Sequence, residues 1–219
     1  MARRTVRCEM AHTPLSPLKN DVRSDWCWKT SRYKDIISIS HGFFDTINTV
    51  RGAPKSSKRS DGRIFVVDID PGVIESATYM WQDGQHPKLA GSLMKPRLSP
   101  IENYIKEYCQ EWTARNLDVV DADTAECING AWKITSPVVN TLLTHNFKGR
   151  VLMTFVNYRD NFSGTESRIA WLKSQLPKGV TLASYRAYSS GRVLEHAERT
   201  RGCSMCIVEL QFSKKTPIW

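Results

Sequence analysis

Acidic side chains follow two apolar runs of this sequence. Asp68 and Asp70 come directly after one of these runs, and Asp121 and Asp123 come after the other. A carboxylate at the end of a strand can accept hydrogen bonds from two neighbouring hydroxyl groups of a sugar. Asp70 precedes a proline and so also has the features of a helix N-cap. The sequence therefore predicts acidic binding groups at two strand ends.

Positively charged side chains stand where they could meet phosphate groups. Arg159 follows an apolar run, and Arg192, Arg199 and Arg201 belong to a polar, basic stretch near the end of the sequence that also contains tyrosines. Arginine contacts phosphates, and aromatic side chains stack on bases. Two alternatives stay open: Arg159 could instead pair with the neighbouring Asp160 at the surface, and a solvated edge hairpin could carry the other three arginines.

The cysteines do not form a recognisable metal site. Cys203 and Cys206 make a Cys-x-x-Cys pair, and no other cysteine or histidine stands at a spacing typical of the four ligands of a zinc site. The pair is better interpreted as two thiols at the beginning of a buried strand. All six cysteines are predicted to be reduced, which indicates a cytoplasmic protein.

Charge is divided unevenly along the 219 residues. Residues 1–60 carry a net charge of +7, residues 61–130 a net charge of −6 and residues 131–219 a net charge of +8. Basic ends around an acidic middle favour a polyanionic partner such as a nucleic acid. An unevenly charged, solvated surface would give the same pattern.

The composition is that of a globular protein. Hydrophobic residues make up 41% and charged residues 24% of the chain, which excludes wholesale disorder and fibrous classes. No apolar run approaches the ~20 residues needed to span a bilayer. No apolar segment follows the basic N-terminus, as a secretory signal would require. We therefore expect no association with a membrane.

The elements that must position these side chains alternate between strand and helix patterns. Residues 1–34 are interpreted as a basic arm or short helix, residues 35–219 as one domain, and residues 83–98 as a loop. Apolar and β-branched runs predict strands at Ile36–Ser40, Arg63–Asp68, Leu117–Val120, Ala131–Thr135, Arg150–Val156, Val180–Tyr188 and Cys206–Phe212. Helices are predicted to begin near Phe43, at the Asp70 N-cap, at capping boxes opened by Ser99 and Ser163, and at Ser136.

The alternation predicts the fold class. Strands that alternate with helices indicate βαβ units and a mostly parallel sheet covered on both faces. No apolar helix pattern separates the last two strands, which predicts an antiparallel hairpin at the edge of the sheet.

With this order of elements, residues 35–212 resemble the class I methyltransferases that use S-adenosylmethionine. The resemblance implies an α/β fold: a single Rossmann-like domain with a mostly parallel seven-stranded sheet and a terminal antiparallel hairpin. Phe65–Pro71 resembles the second motif of that family, which implies that Asp68 binds the ribose hydroxyls of the cofactor. Asp121–Asp123 is similar to the end of the third strand, which implies that Asp123 contacts the adenine amino group.

Other motifs depart from the family pattern. The turn after the first strand has one glycine, Gly42, where the family has a glycine-rich turn. The resemblance implies that Gly42 and Ser40 bind the methionine part of the cofactor, and Asp70 is a further candidate beside Asp68. The fourth strand end, taken as Ile134–Pro137, lacks the Asp/Asn-Pro-Pro-aromatic signature of base-amino methylation.

Three functions follow as hypotheses. The first is methyl transfer from S-adenosylmethionine to a nucleic acid, with RNA favoured over DNA because the base-amino signature is absent. The second is a catalytically inactive Rossmann-like protein that binds nucleic acid or acts as an accessory. The third is a phosphatase similar to the haloacid dehalogenases, in which Asp68 and Asp70 would supply the nucleophile and the acid/base.

Overall fold

A computed structural model of the chain describes residues 35–39, 63–82, 94–156, 160–189 and 204–213. The predicted arm at 1–34 and the helix predicted near Phe43 lie outside the described residues. The elements of the described part are, in chain order, β1 (Asp35–Ile39), β2 (Ile64–Asp68), α1 (Pro71–Gln82), β3 (Arg97–Leu98), α2 (Ile101–Glu111), β4 (Leu117–Cys127), α3 (Ile128–Thr144), β5 (Arg150–Val156), α4 (Thr165–Gln175), β6 (Val180–Ser189) and β7 (Ser204–Phe212).

The strands form one seven-stranded sheet in the order β3-β2-β1-β4-β5-β7-β6. β1 pairs in parallel with both β2 and β4, and the parallel pairing continues to β3 on one side and to β5 on the other. β7 is antiparallel to both β5 and β6. The predicted fold class is therefore confirmed, with β7 inserted between β5 and β6.

Apolar side chains of α2, α3 and α4 pack on one face of the sheet. Their buried residues join those of the strands in one core cluster, which holds Tyr104 and Ile105 of α2, Leu142 of α3 and Leu172 of α4. The central strands are apolar on both faces, as buried parallel strands require. Val66 and Val67, which are neighbours in β2, are both 0% exposed.

The strand predicted at Ala131–Thr135 is wrong, because this segment belongs to α3. Ala131, Thr135, Val138 and Leu142 are buried at helical spacing, and the Thr135 hydroxyl donates to the Ala131 carbonyl at 2.8 Å. Ser136 therefore does not begin a helix, and the proline that follows it lies inside α3. The β-branched residues of the segment favour a strand locally, but the periodicity of the whole helix prevails.

Both predicted capping boxes are wrong by one residue. α2 begins after Pro100, whose carbonyl accepts the backbone N–H of Tyr104 at 3.1 Å, and the Ser99 hydroxyl makes no cap. α4 begins after Gly164, whose backbone N–H donates to the Ser167 hydroxyl at 3.2 Å. In both segments a serine stands three residues before a glutamate, which is the capping-box pattern. In the structure each helix begins one residue later than this pattern predicts.

Two strand boundaries also differ from the prediction. Arg97–Leu98 forms β3 inside the segment interpreted as a loop, and β4 continues past Val120 to Cys127. A two-residue strand has no periodicity that a sequence pattern can reveal. No helix in the described ranges is both long and apolar enough to span a membrane.

An ion pair joins the amino-terminal ends of β1 and β2. Nη2 of Arg63 donates to Oδ2 of Asp35 at 2.6 Å, and the Arg63 backbone N–H donates to Oδ1 at 2.9 Å. The Tyr108 hydroxyl of α2 donates to the same carboxylate at 2.6 Å. The Arg63 guanidinium also lies 3.7 Å from the centroid of the Trp112 ring. Burial, followed by the hydrogen bond to Asp35, raises the pKa of Tyr108. We name these four residues the Asp35 clamp.

Two cysteine thiols, one buried and one half-buried, make the fold sensitive to alkali. Burial raises the pKa of Cys206 to about 12 and that of Cys109 to about 11. Unfolded thiols ionise above pH ~8.5 while the folded ones stay protonated, so the unfolding free energy falls as the pH rises above that value. We expect urea denaturation to show a loss of about 1–2 kcal/mol from the buried Cys206 at pH 10 relative to pH 8. The half-buried Cys109 should contribute less, because solvent screens it. Cys206→Ala should flatten the profile, and a pH-independent wild type would contradict the prediction.

Candidate functional site

The carboxyl ends of the parallel strands meet at one edge of the sheet. β2 ends at Asp68, β4 at Cys127 and β5 at Val156. The strand order reverses between β1 and β4, because the chain moves outward to β2 and β3 before it returns to β4. Ligands of open α/β sheets bind in the crevice at such a switch point. This edge is therefore the candidate functional site.

Asp68 lies at this edge, as predicted, at the end of a buried strand. The residue is 8% exposed. Its Oδ1 accepts the backbone N–H of Asp70 at 2.8 Å, and its carbonyl accepts the backbone N–H of Ser99 at 2.8 Å. The first bond fixes the carboxylate and the second joins the end of β2 to the segment after β3. A carboxylate accepts about four hydrogen bonds, so this arrangement leaves it able to bind a ligand.

Asp70 caps α1. Its Oδ1 accepts the backbone N–H of Gly72 at 2.9 Å, and its carbonyl accepts that of Ile74 at 3.1 Å. The N-cap interpretation is therefore confirmed. Asp68 and Asp70 thus have different structural roles, because Asp68 ends β2 and Asp70 caps α1.

Two exposed apolar side chains flank Asp68, and the sequence did not single them out. Ile69 is 60% exposed and Leu98 is 57% exposed. Leu98 pairs with Asp68 across β2 and β3, and Ile69 follows Asp68 in the chain. Apolar side chains beside a polar anchor are typical of small-molecule sites. Ile69 could have been noticed as an apolar residue between two aspartates, whereas β3 left no signal in the sequence.

Asp121 and Asp123 lie on β4, which is the fourth strand of the sheet. The third strand is Arg97–Leu98, so the comparison of Asp121–Asp123 with a third strand end is corrected, and with it the reason for assigning Asp123 to adenine. The segment Ile134–Pro137, taken as the fourth strand end, lies in α3. Asp121 and Asp123 are 1% and 2% exposed, so they are buried beside the switch point.

A β-bulge interrupts the pairing of β4 with β5 near the carboxyl end of β4. Asp123 pairs with Thr154 and Cys127 pairs with Val156, so β4 has three residues between these pairs where β5 has one. The Thr124 hydroxyl donates to the Thr154 carbonyl at 2.8 Å, which holds the bulged strand to its neighbour. Bulges of this kind bend a strand and change the direction of its side chains next to active sites.

Beyond β5, Asp160 pairs with Arg168 of α4. Nε of Arg168 donates to Oδ2 of Asp160 at 2.8 Å, and Nη2 donates to Oδ1. Both oxygens of the Asp160 carboxylate therefore accept hydrogen bonds from Arg168, whereas the alternative drawn from the sequence paired Asp160 with Arg159. Several predicted site residues lie outside the described residues: Ser40, Gly42, Arg159, Arg192, Arg199 and Arg201.

No group of three or more potential metal ligands occurs within the part of the chain that the structure describes. Cys206, a member of the Cys-x-x-Cys pair, is a free thiol buried in β7. Its partner Cys203 lies outside the described residues. The burial of Cys206 agrees with the interpretation of a thiol in a core strand.

Neither a family model nor a curated protein matches this sequence. An O-methyltransferase from Bacillus cereus, crystallised with S-adenosylhomocysteine, matches with a TM-score of 0.57 and 11% identity over 93% of this chain and 85% of that one. An rRNA methylase from Streptococcus thermophilus matches with a TM-score of 0.51 and 10% identity over 92% and 99%. A possible exported protein from Bordetella parapertussis matches with a TM-score of 0.55 and 10% identity over 91% of this chain and 68% of that one.

At these identities the likeness concerns the fold. The matches extend over nine-tenths of this chain, and two of the three proteins are methyltransferases. The mostly parallel seven-stranded sheet and its terminal antiparallel hairpin are those that the resemblance implied. The chain thus adopts the Rossmann-like fold of the class I S-adenosylmethionine-dependent methyltransferases.

Proposed function

We propose that this chain is a methyltransferase that uses S-adenosylmethionine. The observation that carries the proposal is Asp68, a fixed carboxylate at the end of β2 between the exposed apolar side chains of Ile69 and Leu98. Two adjacent ribose hydroxyls would donate to the carboxylate. The two apolar side chains would pack against the faces of a planar base. Polar and apolar groups thus match the two parts of an adenosine.

The rest of the cofactor would extend toward the switch point. Ser40 and Gly42, which follow β1 in the sequence, are proposed to bind its methionine part. S-adenosylmethionine supplies an electrophilic methyl group on a sulfonium. The protein contributes by holding donor and acceptor in line and by binding the charges that develop. We propose that Asp123, buried in β4 where the bulge begins, contacts the cofactor near this centre and not at adenine.

Titration with S-adenosylhomocysteine tests the proposal. Isothermal titration calorimetry of the wild-type chain should show binding, and a ligand concentration of about 100 times Kd should stabilise the fold by about 2.7 kcal/mol. The second effect is measured as a rise in Tm. Absence of both heat and a Tm shift, with S-adenosylmethionine as well as with S-adenosylhomocysteine, would overturn the proposal.

We propose a nucleic acid as the methyl acceptor, with RNA favoured. The support is the charge of the sequence, with net charges of +7 and +8 at its two ends. Arg159, Arg192, Arg199 and Arg201 are the proposed phosphate contacts. An rRNA methylase is among the proteins that share the fold. An RNA substrate agrees with the cytoplasmic location expected from the cysteines.

Salt dependence of the affinity tests this substrate class. Each phosphate that a protein cation neutralises lowers the slope of log affinity against log salt by about 0.7 for a single strand. With three or four contacts we expect a slope of about −2 to −3. Fluorescence anisotropy of a labelled single-stranded RNA 20-mer between 50 and 200 mM KCl measures it. A slope near zero, or no binding at 50 mM KCl, would favour a small-molecule or protein acceptor.

The inactive alternative is motivated by the sequence that follows β1, which has one glycine, Gly42, where the family has several. An inactive protein would bind the RNA 20-mer but not S-adenosylhomocysteine, and its RNA affinity would survive Asp68→Ala. The phosphatase hypothesis required Asp68 and Asp70 at the end of the first strand. Asp68 instead ends β2, and Asp70 caps α1.

A further inference from the structure

Leu98 is held beside Asp68 by the pairing of β3 with β2. The two residues are partners in the register of these parallel strands, so their side chains lie on the same face of the sheet. The Ser99 backbone N–H donates to the Asp68 carbonyl at 2.8 Å, and the Met94 backbone N–H donates to the Ile64 carbonyl at 2.9 Å. Hydrogen bonds on both sides of β3 therefore fix Leu98 relative to the carboxylate.

The exposure of Leu98 and Ile69 indicates a contact surface. Each of these large apolar residues exposes more than half of its surface, whereas Asp68 between them is buried. A single exposed apolar side chain is ordinary in a folded protein. Two of them beside a fixed polar group have the composition of a small-molecule site. We name Ile69 and Leu98 the apolar clamp.

The backbone donors next to Asp68 already have partners within the fold. The Asp70 N–H donates to Oδ1 of Asp68 at 2.8 Å, and the Gly72 N–H donates to Oδ1 of Asp70 at 2.9 Å. The Ser99 N–H is bonded to the Asp68 carbonyl. These three groups would have to give up their bonds before they could read the polar edge of a base.

The charged side chains of the neighbouring strands are directed elsewhere or lie too far away. Arg97 pairs with Val67, whose side chain belongs to the core under α2, so Arg97 lies on the other face of the sheet from Leu98. Asp121 and Asp123 lie on β4, which β2 and β1 separate from β3. Neighbouring strands are about 4.8 Å apart, so the three spacings from β3 to β4 amount to about 14 Å. A base packed against Leu98 is out of reach of both carboxylates.

Apolar contact and hydrogen bonding differ greatly in how they discriminate between ligands. A site that hydrogen-bonds a polar group rejects a ligand without that group by about 10⁴–10⁵-fold, because a buried partner is then left unpaired. The strength of an apolar contact instead follows the area that is removed from water. Adenine and hypoxanthine have nearly the same planar area, and they differ in carrying an amino group or an oxygen on the ring. An apolar contact therefore distinguishes them poorly.

We propose that Leu98 recognises the base of the cofactor by apolar contact, so that the site accepts a purine with either an amino group or an oxygen at this position. The inference rests on the proposed function, in which the ribose lies at Asp68. It makes Leu98 a specificity-determining residue: the apolar clamp selects a planar base, and Asp68 selects the sugar.

A pair of ligands that differ only in the base tests the inference. S-adenosylhomocysteine carries the amino group, and S-inosylhomocysteine carries the oxygen. Isothermal titration calorimetry measures both with the wild type, with Leu98→Ala and with Leu98→Asp. Tyr79→Ala is the matched control, because it removes another exposed apolar side chain, on α1. Tm and the circular dichroism spectrum establish that each variant is folded.

We expect the wild type to bind the two ligands with affinities within about fivefold of each other, which corresponds to about 1 kcal/mol. Leu98→Ala should weaken both about tenfold, or about 1.4 kcal/mol, and leave their ratio unchanged. Leu98→Asp places an acceptor against the base, so it should favour the amino-bearing ligand about tenfold or more, whatever its effect on the absolute affinities. Tyr79→Ala should bind both ligands as the wild type does.

Three results would overturn the inference. These are a wild-type preference for S-adenosylhomocysteine greater than fivefold, a wild-type affinity for both ligands in Leu98→Ala, and an unchanged ratio in Leu98→Asp. A wild type that binds neither ligand is a distinct result, because it contradicts the proposed function and the inference with it. Selective binding of S-adenosylhomocysteine contradicts the inference alone and leaves the proposed function standing.

Discussion

Asp68→Ala should abolish measurable binding of S-adenosylhomocysteine. The substitution removes the acceptor for two ribose hydroxyls, and a hydrogen bond to a charged group is worth about 1.5–3 kcal/mol. The expected loss of affinity is therefore about 100-fold or more. Isothermal titration calorimetry of both proteins at the same pH and salt measures it. An affinity within threefold of wild type would contradict the role of Asp68.

Asp70→Ala is the matched control for this prediction. It removes a carboxylate two residues away that caps α1 through Gly72. Loss of an N-cap costs about 1 kcal/mol of stability, and we expect this variant to lose stability while it keeps its cofactor affinity. A loss of affinity as large as that of Asp68→Ala would show that both carboxylates hold the cofactor.

Asp35→Ala should cause the largest loss of stability. Asp35 is buried and accepts hydrogen bonds from Arg63 and Tyr108. Without the carboxylate, the arginine and the tyrosine hydroxyl lose their partner inside the protein. Removal of one member of a fully buried ion pair costs about 3–5 kcal/mol. The Arg63 side chain is 21% exposed and can be partly hydrated, so we expect a loss toward the lower end of that range. Urea denaturation measures the difference, with an unchanged m-value as the sign that the native fold is retained.

Tyr108→Phe is the control for the Asp35 clamp. It removes one hydrogen bond but leaves the carboxylate paired with Arg63, so we expect a smaller loss of about 1 kcal/mol. The clamp lies at the amino ends of β1 and β2, opposite the candidate site. Folded Asp35→Ala protein should therefore bind S-adenosylhomocysteine as wild type does. A stability loss below that of Tyr108→Phe would contradict the prediction.

The parts of the fold that the sequence predicted are those with strong local patterns. The apolar run before Asp68 and the Asp-Pro pair after it specify β2 and the start of α1, and both are confirmed. α2 is predicted because apolar residues recur at helical spacing, and the structure buries Ile101, Tyr104 and Tyr108 among them. The strand predicted at Ala131–Thr135 is wrong because five residues are too few to distinguish a strand from part of a long helix.

The site was predicted less completely than the fold, because its geometry depends on contacts between distant segments. β3 has two residues and no recognisable pattern, so β4 was counted as the third strand and Asp123 was assigned accordingly. The partner of Asp160 could not be chosen from the sequence either. Arg159 is adjacent to it, whereas Arg168 reaches it only because α4 packs against the segment that contains Asp160.

The position of β7 has a consequence for the order of folding. β7 lies between β5 and β6, although it follows both in the chain. Its pairing with β5 joins Arg150 to Gln211, so a long loop must close before this part of the sheet exists. As the chain leaves the ribosome, β6 emerges before the strand that separates it from β5. Until β7 is synthesised, the unpaired backbone edge of β6 is accessible to chaperones and to other nascent chains.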